Sequence, residues 1–90
     1  MSDEMLVQDL FYEAEIQANK GREQFPQPNP TCAALTEEVG ELVREVLHLR
    51  EGKLEASRDR VFEEAAQVIG MVIRLVTEGD GTLGVRFDGR

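Results

Sequence analysis

Four side chains stand out by type and spacing: Glu38 and Glu41, then Glu64 and Gln67, each pair three residues apart. On a helix, residues i and i+3 are surface neighbours, so two carboxylates at that spacing can converge on one point. Oxygen ligands that converge in this way suit a hard dication, magnesium first and manganese as the alternative. Glu38 and Glu41 are the only two acids three residues apart among the 18 in the chain. Chance alone would supply about three or four such pairs, so an isolated ExxE is a weak signal, and a solvated charged face accounts for either helix taken by itself. Glu64 is different. It falls inside an apolar arc, between Met71 and Leu75 on a helical wheel, with Gln67 at the border. A carboxylate there is costly unless it is paired, protonated or bound to a cation.

The elements that must position these groups are helices. Leu35, Val39, Leu42, Val46 and Leu49 recur at the three-and-four spacing of one helical face. They predict a helix from Thr31, or from Pro30 where proline is tolerated, to about Glu51, with Gly52 ending it. Gly40 inside that helix costs about 1 kcal/mol relative to Ala, and is kept where something packs closely or by accident. An earlier helix is expected from about Asp3 to Arg22, capped by Ser2 or Asp3 and ended with the help of Gly21. A later one runs to about Glu78 from a cap at Ser57 or Asp59. Phe62, Ala65, Ile69, Val72 and Val76 form its seam, and Val61, Ala66, Val68, Met71, Ile73 and Leu75 widen the apolar arc past half the circumference. Such a helix is central and packs against several neighbours.

The fold class is therefore all-α, with residues 1–79 forming an antiparallel bundle of three main helices and residues 80–90 a glycine-rich tail. Within the tail, Val85 and Phe87 alternate as in a short strand. The loop between the first two helices holds three prolines, Pro26, Pro28 and Pro30. Phe25 either anchors that loop on the core or lines a pocket. A short connection favours antiparallel packing of the second and third helices, which lets the two ExxE/ExxQ pairs face one another.

Ninety residues make one small domain, and 41% hydrophobic content suffices for a core. A domain this short buries a modest share of its surface, and three helices do not easily surround a central one. A homodimer or homotetramer is expected to complete the bundle. The net charge of −8 argues against nucleic-acid polymers as partners, since Lys and Arg supply the affinity for phosphate backbones. An acidic protein can still bind a phosphorylated small molecule through bridging cations. The single cysteine, Cys32, excludes an internal disulfide and fits a reducing compartment. It reads as a buried residue at a helix start. No apolar run approaches the ~20 residues of a membrane span. No basic region followed by an apolar core marks the N-terminus, so a cytoplasmic location is expected.

With these motifs in view, the chain resembles the MazG-like all-α nucleoside triphosphate pyrophosphohydrolases. That family's pattern is ExxE, a gap of a dozen to nearly thirty residues, then ExxD. Here Glu38-Val39-Gly40-Glu41 is followed, after the 22 residues from 42 to 63, by Glu64-Ala65-Ala66-Gln67. The flanking words Leu35-Thr36-Glu37-Glu38-Val39-Gly40-Glu41-Leu42 and Glu63-Glu64-Ala65-Ala66-Gln67-Val68-Ile69 are similar as well. The loop Glu23-Gln24-Phe25 followed by Pro28-Asn29 is similar to the branch acting on dCTP-like substrates. The resemblance spans roughly Gln17 to Val76.

The resemblance implies cleavage of a (deoxy)nucleoside triphosphate to monophosphate and pyrophosphate, a house-cleaning activity. It implies that Glu38, Glu41 and Glu64 ligate magnesium, with Gln67 where the family has its last Asp, and that Glu37 orients or deprotonates the attacking water. Gln67 can offer an amide oxygen but no charge, and Gln is one methylene longer than Asp. The alternative is a catalytically impaired homologue that acts as a nucleotide-binding or helical scaffold protein. The chain has no Trp, unlike the dCTP-like branch, so no base preference is carried over. Lys20, Phe25 and Arg44 are candidates for substrate binding. Arg22, Arg60 and Arg74 are further cations able to meet phosphates, although surface salt bridges account for such residues more often. Glu45 and His48 continue the face of Glu38 and Glu41.

Overall fold

The helix signals become three helices in a computed structural model, which describes residues 2–84 and residue 87. They are α1 (Asp3–Gln24), α2 (Thr31–Arg50) and α3 (Arg58–Glu78). The architecture is all-α, and the expected strand at Val85 and Phe87 involves a position outside the described residues. No helix is long and apolar enough to cross a membrane among the described residues.

Two helices begin with the same chemistry. Ser2 accepts a hydrogen bond from the Met5 amide and Ser57 from the Arg60 amide, each at the N-cap. The end of α2 follows from Gly52, whose φ of +74° is open to glycine and costly for other residues. There the Lys53 amide reaches back to the His48 carbonyl (3.0 Å) and the Gly52 amide to Leu49 (3.2 Å), satisfying carbonyls that the helix leaves bare.

Gly21 does not end α1, which runs on to Gln24. Its missing side chain makes room instead, because a Cβ there would stand 3.1 Å from Nη1 of Arg74. Close approach also explains Gly70, where a Cβ would meet the Ala14 carbonyl at 3.0 Å and the Ala18 amide at 3.2 Å. The α1–α3 crossing is therefore built from small residues: Ala14, Ala18, Ala66 and Gly70 are all buried. Gly40 has nothing within 4 Å of a built Cβ, so no close contact within the chain accounts for it.

The central position of α3 is as expected. It packs against both α1 and α2, which make no helix contact with each other among the described residues. Its buried line is not the expected seam, however. Ala66, Gly70 and Arg74 are the buried residues, while Val72 and Val76 are exposed at 41% and 46%. The physical reason lies in size. The two neighbours approach α3 most closely where its residues are small, and of its β-branched residues Val72 and Val76 are left exposed while Val61, Val68, Ile69 and Ile73 are half-buried.

Candidate metal centre

Helices α2 and α3 run antiparallel, with Glu45 near Arg60 at one end and Glu38 and Glu41 near Glu64 further along. One carboxylate oxygen from each of Glu38, Glu41 and Glu64 lies within 4.8 Å of the other two. The spacing of three residues on α2 places the first two on one face, and the apolar arc of α3 turns Glu64 toward them. One oxygen of Glu38 and one of Glu64, both Oε2, are shut off from solvent and have no hydrogen-bond partner. Buried polar atoms are nearly always satisfied, so these two oxygens are open to a proton, a water or a cation.

The carboxylates of the cluster repel one another. Burial pushes the Glu38 carboxyl above its usual range, and the charges of Glu41, Glu64 and Glu37 push it further. Burial also raises Glu64, reinforced by the charge of Glu41, a hydrogen bond with Glu41 and the charge of Glu45, while Arg60 opposes the shift. Three carboxylates with two orphaned oxygens form a hard, anionic donor set, and a dication fits it.

Two recesses flank the cluster. The first, about 560 Å³, lies in the gap between α1 and α2 and has α3 as its floor. Phe25, Ala33, Ala34, Gly70 and Met71 give it an apolar lining, and Glu37, Glu38 and Gln67 border it on the side of the carboxylates. Its volume is that of an ordinary small-molecule site, which holds roughly 300–1,000 Å³. The second, about 570 Å³, shares Glu41 and Glu64 with the cluster and is otherwise lined almost wholly by charged groups and His48.

The sequence-derived residues divide between these spaces. Glu37, Gln67, Lys20 and Phe25 line the first recess, and Arg44 lines the second. Phe25 is 62% exposed, so it lines a pocket and does not anchor the loop in the core. Cys32 is likewise exposed, not buried, and its backbone amide donates to the Asp80 carboxylate at 2.7 Å.

Arg74 is no surface residue. It is 1% exposed and forms the end of the first recess. Its Nη2 donates to the Phe25 carbonyl (2.7 Å), and its Nε and Nη2 both donate to Glu78 (3.2 Å). Arg22 adds a 2.7 Å bond to the same Glu78 carboxylate. Burial works to raise Glu78, but the hydrogen bonds from Arg74 and Arg22 outweigh it and hold the carboxyl below its usual range.

Three further residues shape this region. Glu45 is buried, and its Oε1 has no hydrogen-bond partner, standing 3.6 Å from Nε of Arg60. The signal for it was present, since it lies one turn beyond Glu41 on the same face. Asp80 had no local signal. It is buried and supplies the cap that α2 lacks at its own N-cap, Pro30. Gly81 then fits against Asn29, whose carbonyl accepts from the Gly81 amide at 2.8 Å. The prolyl loop beside the first recess is thus held from both sides, by Arg74 and by Asp80–Gly81. Among known proteins, no family model, no curated protein and no solved structure matches the chain.

Proposed function

We propose that the chain is a magnesium-dependent nucleotide pyrophosphohydrolase, cytoplasmic, that converts a (deoxy)nucleoside triphosphate to the monophosphate and pyrophosphate. The observation that carries this reading is the convergence of Glu38, Glu41 and Glu64 from two helices, with two orphaned oxygens, beside a recess of nucleoside size. A bound dication supplies charge neutralisation on the phosphates and acidifies a water. The chain's own residues do the rest. Glu38, Glu41 and Glu64 hold the cation, and Gln67 offers an amide oxygen at the edge of the first recess. Glu37, adjacent to Glu38 and on the same recess, accepts the proton of the attacking water. The water oxygen bonds to the α-phosphorus, the bond from that phosphorus to the bridging oxygen breaks, and the electron pair leaves with pyrophosphate. Phe25 and Met71 offer apolar surface to the nucleoside, and Lys20 lies on the same wall.

Pyrophosphate release from a nucleotide panel with magnesium tests the proposal. Glu38→Gln and Glu41→Gln should each lower the rate by about 100-fold or more. Release from no nucleotide would reject the enzyme, and release unaffected by either substitution would reject the site.

Gln67 favours a second reading, a nucleotide-binding or scaffold protein whose catalysis has been lost. Gln67→Asp separates the two. It should leave a working enzyme as fast or faster, because a carboxylate there strengthens the donor set. Activity that appears only in the Asp variant would establish the second reading.

We further propose that the chain works as a homodimer or homotetramer. Only Ala14, Ala18 and Ala66 are buried apolar residues among those described, while Phe11, Val39, Val43, Val46, Val72 and Val76 are exposed.

A further inference from the structure

The first recess ends on a buried arginine with one nitrogen to spare. We infer that Arg74 selects nucleotides whose base carries a keto oxygen on the edge remote from the sugar: uracil, thymine, guanine or hypoxanthine, not cytosine or adenine. This rests on the nucleotide reading above and names the substrate class which that reading leaves open.

Position fixes which end of a ligand reaches Arg74. Gln67, Gly70, Met71 and Arg74 line the recess from one face of α3. Gln67 stands at the carboxylate end, and Arg74 is two helical turns further on, about 10 Å along the axis. With the phosphates held by a cation on Glu38, Glu41 and Glu64, the part of a nucleotide that extends past Met71 is the base.

Hydrogen bonding fixes what Arg74 offers there. The side chain is 1% exposed. A guanidinium has one N–H on Nε and two on each terminal nitrogen, and no acceptor. Nε donates to Oε2 of Glu78, and Nη2 donates to Oε1 of Glu78 and to the Phe25 carbonyl. Nη1 makes no hydrogen bond among the described residues. It lies over Gly21, another residue of the recess wall, where a Cβ would stand 3.1 Å from it. Arg22 pins the same Glu78 carboxylate from the other side at 2.7 Å, so the guanidinium is held in one orientation. Glu78 also offsets the charge of Arg74. What remains for an occupant is a directed N–H donor, and a carbonyl oxygen matches it. An exocyclic amino group in the same place is itself a donor, and two donors face to face leave both unsatisfied.

Titration calorimetry on the intact chain with magnesium tests this. The ligands are α,β-methylene nucleoside triphosphates, which a working enzyme cannot cleave at that bridge. They form two pairs, uridine against cytidine and inosine against adenosine, which differ in the keto or amino group and the adjoining ring proton. In at least one pair the keto member should bind about 10- to 100-fold tighter, as for a hydrogen bond to a charged group. Arg74→Lys keeps a cation opposite Glu78 and removes Nη1, and should bring that ratio to within about twofold of unity. Gly21→Ala is the second variant, which decides the matter if the lysine chain does not fold. Its methyl crowds Nη1, leaves the Glu78 pair in place and should lower the ratio by about threefold or more. Magnesium affinity should stay within about twofold in both variants, because neither position touches the cluster. Equal affinities in both pairs, or tighter binding of the amino members, overturn the inference and leave the nucleotide reading standing. A keto preference that neither substitution diminishes also overturns it, because another group then reads the base. If no member of either pair binds in the presence of magnesium, the nucleotide reading fails and the role of Arg74 fails with it.

Discussion

At the scale of single residues, the cluster is a place where folding works against itself. Glu38 and Glu64 are charged in the unfolded chain above about their ordinary value of 4.5, whereas the folded chain holds both carboxyls higher. Between that value and the raised folded one, the folded state binds more protons than the unfolded state. Stability therefore falls as pH rises through this window, and the cost is complete above it. Glu64→Gln removes the charge and nearly keeps the shape. It should raise the melting temperature of the metal-free chain at pH 7 by a few degrees, since about 1 kcal/mol corresponds to roughly 4–8 °C in a domain of this size. The gain should vanish toward pH 4, where wild-type Glu64 is itself protonated. Magnesium should raise the melting temperature of the wild-type chain at pH 7, and that shift should be lost in Glu64→Gln. Differential scanning calorimetry across pH, with and without magnesium, reads all three effects. A variant no more stable than wild type at neutral pH would show that Glu64 carries no unrelieved charge.

At the scale of elements, local chemistry and distant contacts part company. The three helices were legible because their signals are local: Ser2 and Ser57 at the starts, Gly52 at a stop, and apolar spacing between. The convergence of Glu38, Glu41 and Glu64 was legible for a related reason, since helical phase alone turns Glu64 inward. Arg74 was not, because a guanidinium on a helix reads as solvated until its partners are known, and these come from α1 and the following loop. Asp80 lies 48 residues from the amide it caps, and no periodicity spans that distance. Gly21 reads as a stop and serves as clearance for Arg74.

Two substitutions separate the glycines that space requires from the one it does not. Gly70→Ala drives a methyl against the α1 backbone and should destabilise the chain by about 1–3 kcal/mol, as overpacking does. Gly40→Ala meets nothing within the chain and, in a chain kept monomeric, should stabilise α2 by about 1 kcal/mol. Denaturant midpoints for the two variants check both signs. The acid limb of stability also belongs to this scale. Glu78 is held below its ordinary value of 4.5 by its two arginines, and Asp80 below 3.8 by the Thr82 hydroxyl and the Cys32 amide, with burial opposing. Their contribution is present above those values and is lost as pH falls through the lower, folded ones. The protection factor of the Cys32 amide against hydrogen exchange should therefore fall first on acidification, before those of the amides in the middle of α2.

At the scale of the whole molecule, the balance of buried and exposed surface points beyond one chain. A central helix with two neighbours leaves a side open, and the apolar residues on the outer surface are large ones. Val39, Val43 and Val46 recur at i, i+4 and i+7 on α2, and each is more than 40% exposed. Such a stripe on a helix is the pattern of a face that packs against another helix. If a second copy covers it, stability must depend on concentration, because folding and association are then one equilibrium. Sedimentation should show a dimer or tetramer at micromolar concentration, and the melting temperature should rise with protein concentration. Val43→Glu places a charge in the stripe and should shift the species to monomer and lower the melting temperature. Gly40 gives the same question a second answer. It sits beside Val39 with open space around it, so its Ala variant gains helix stability in an isolated chain but collides with a partner that packs there closely. A wild type that sediments as a monomer at every concentration, with a melting temperature independent of dilution, would mean that the exposed valines face solvent and that one chain alone forms the site.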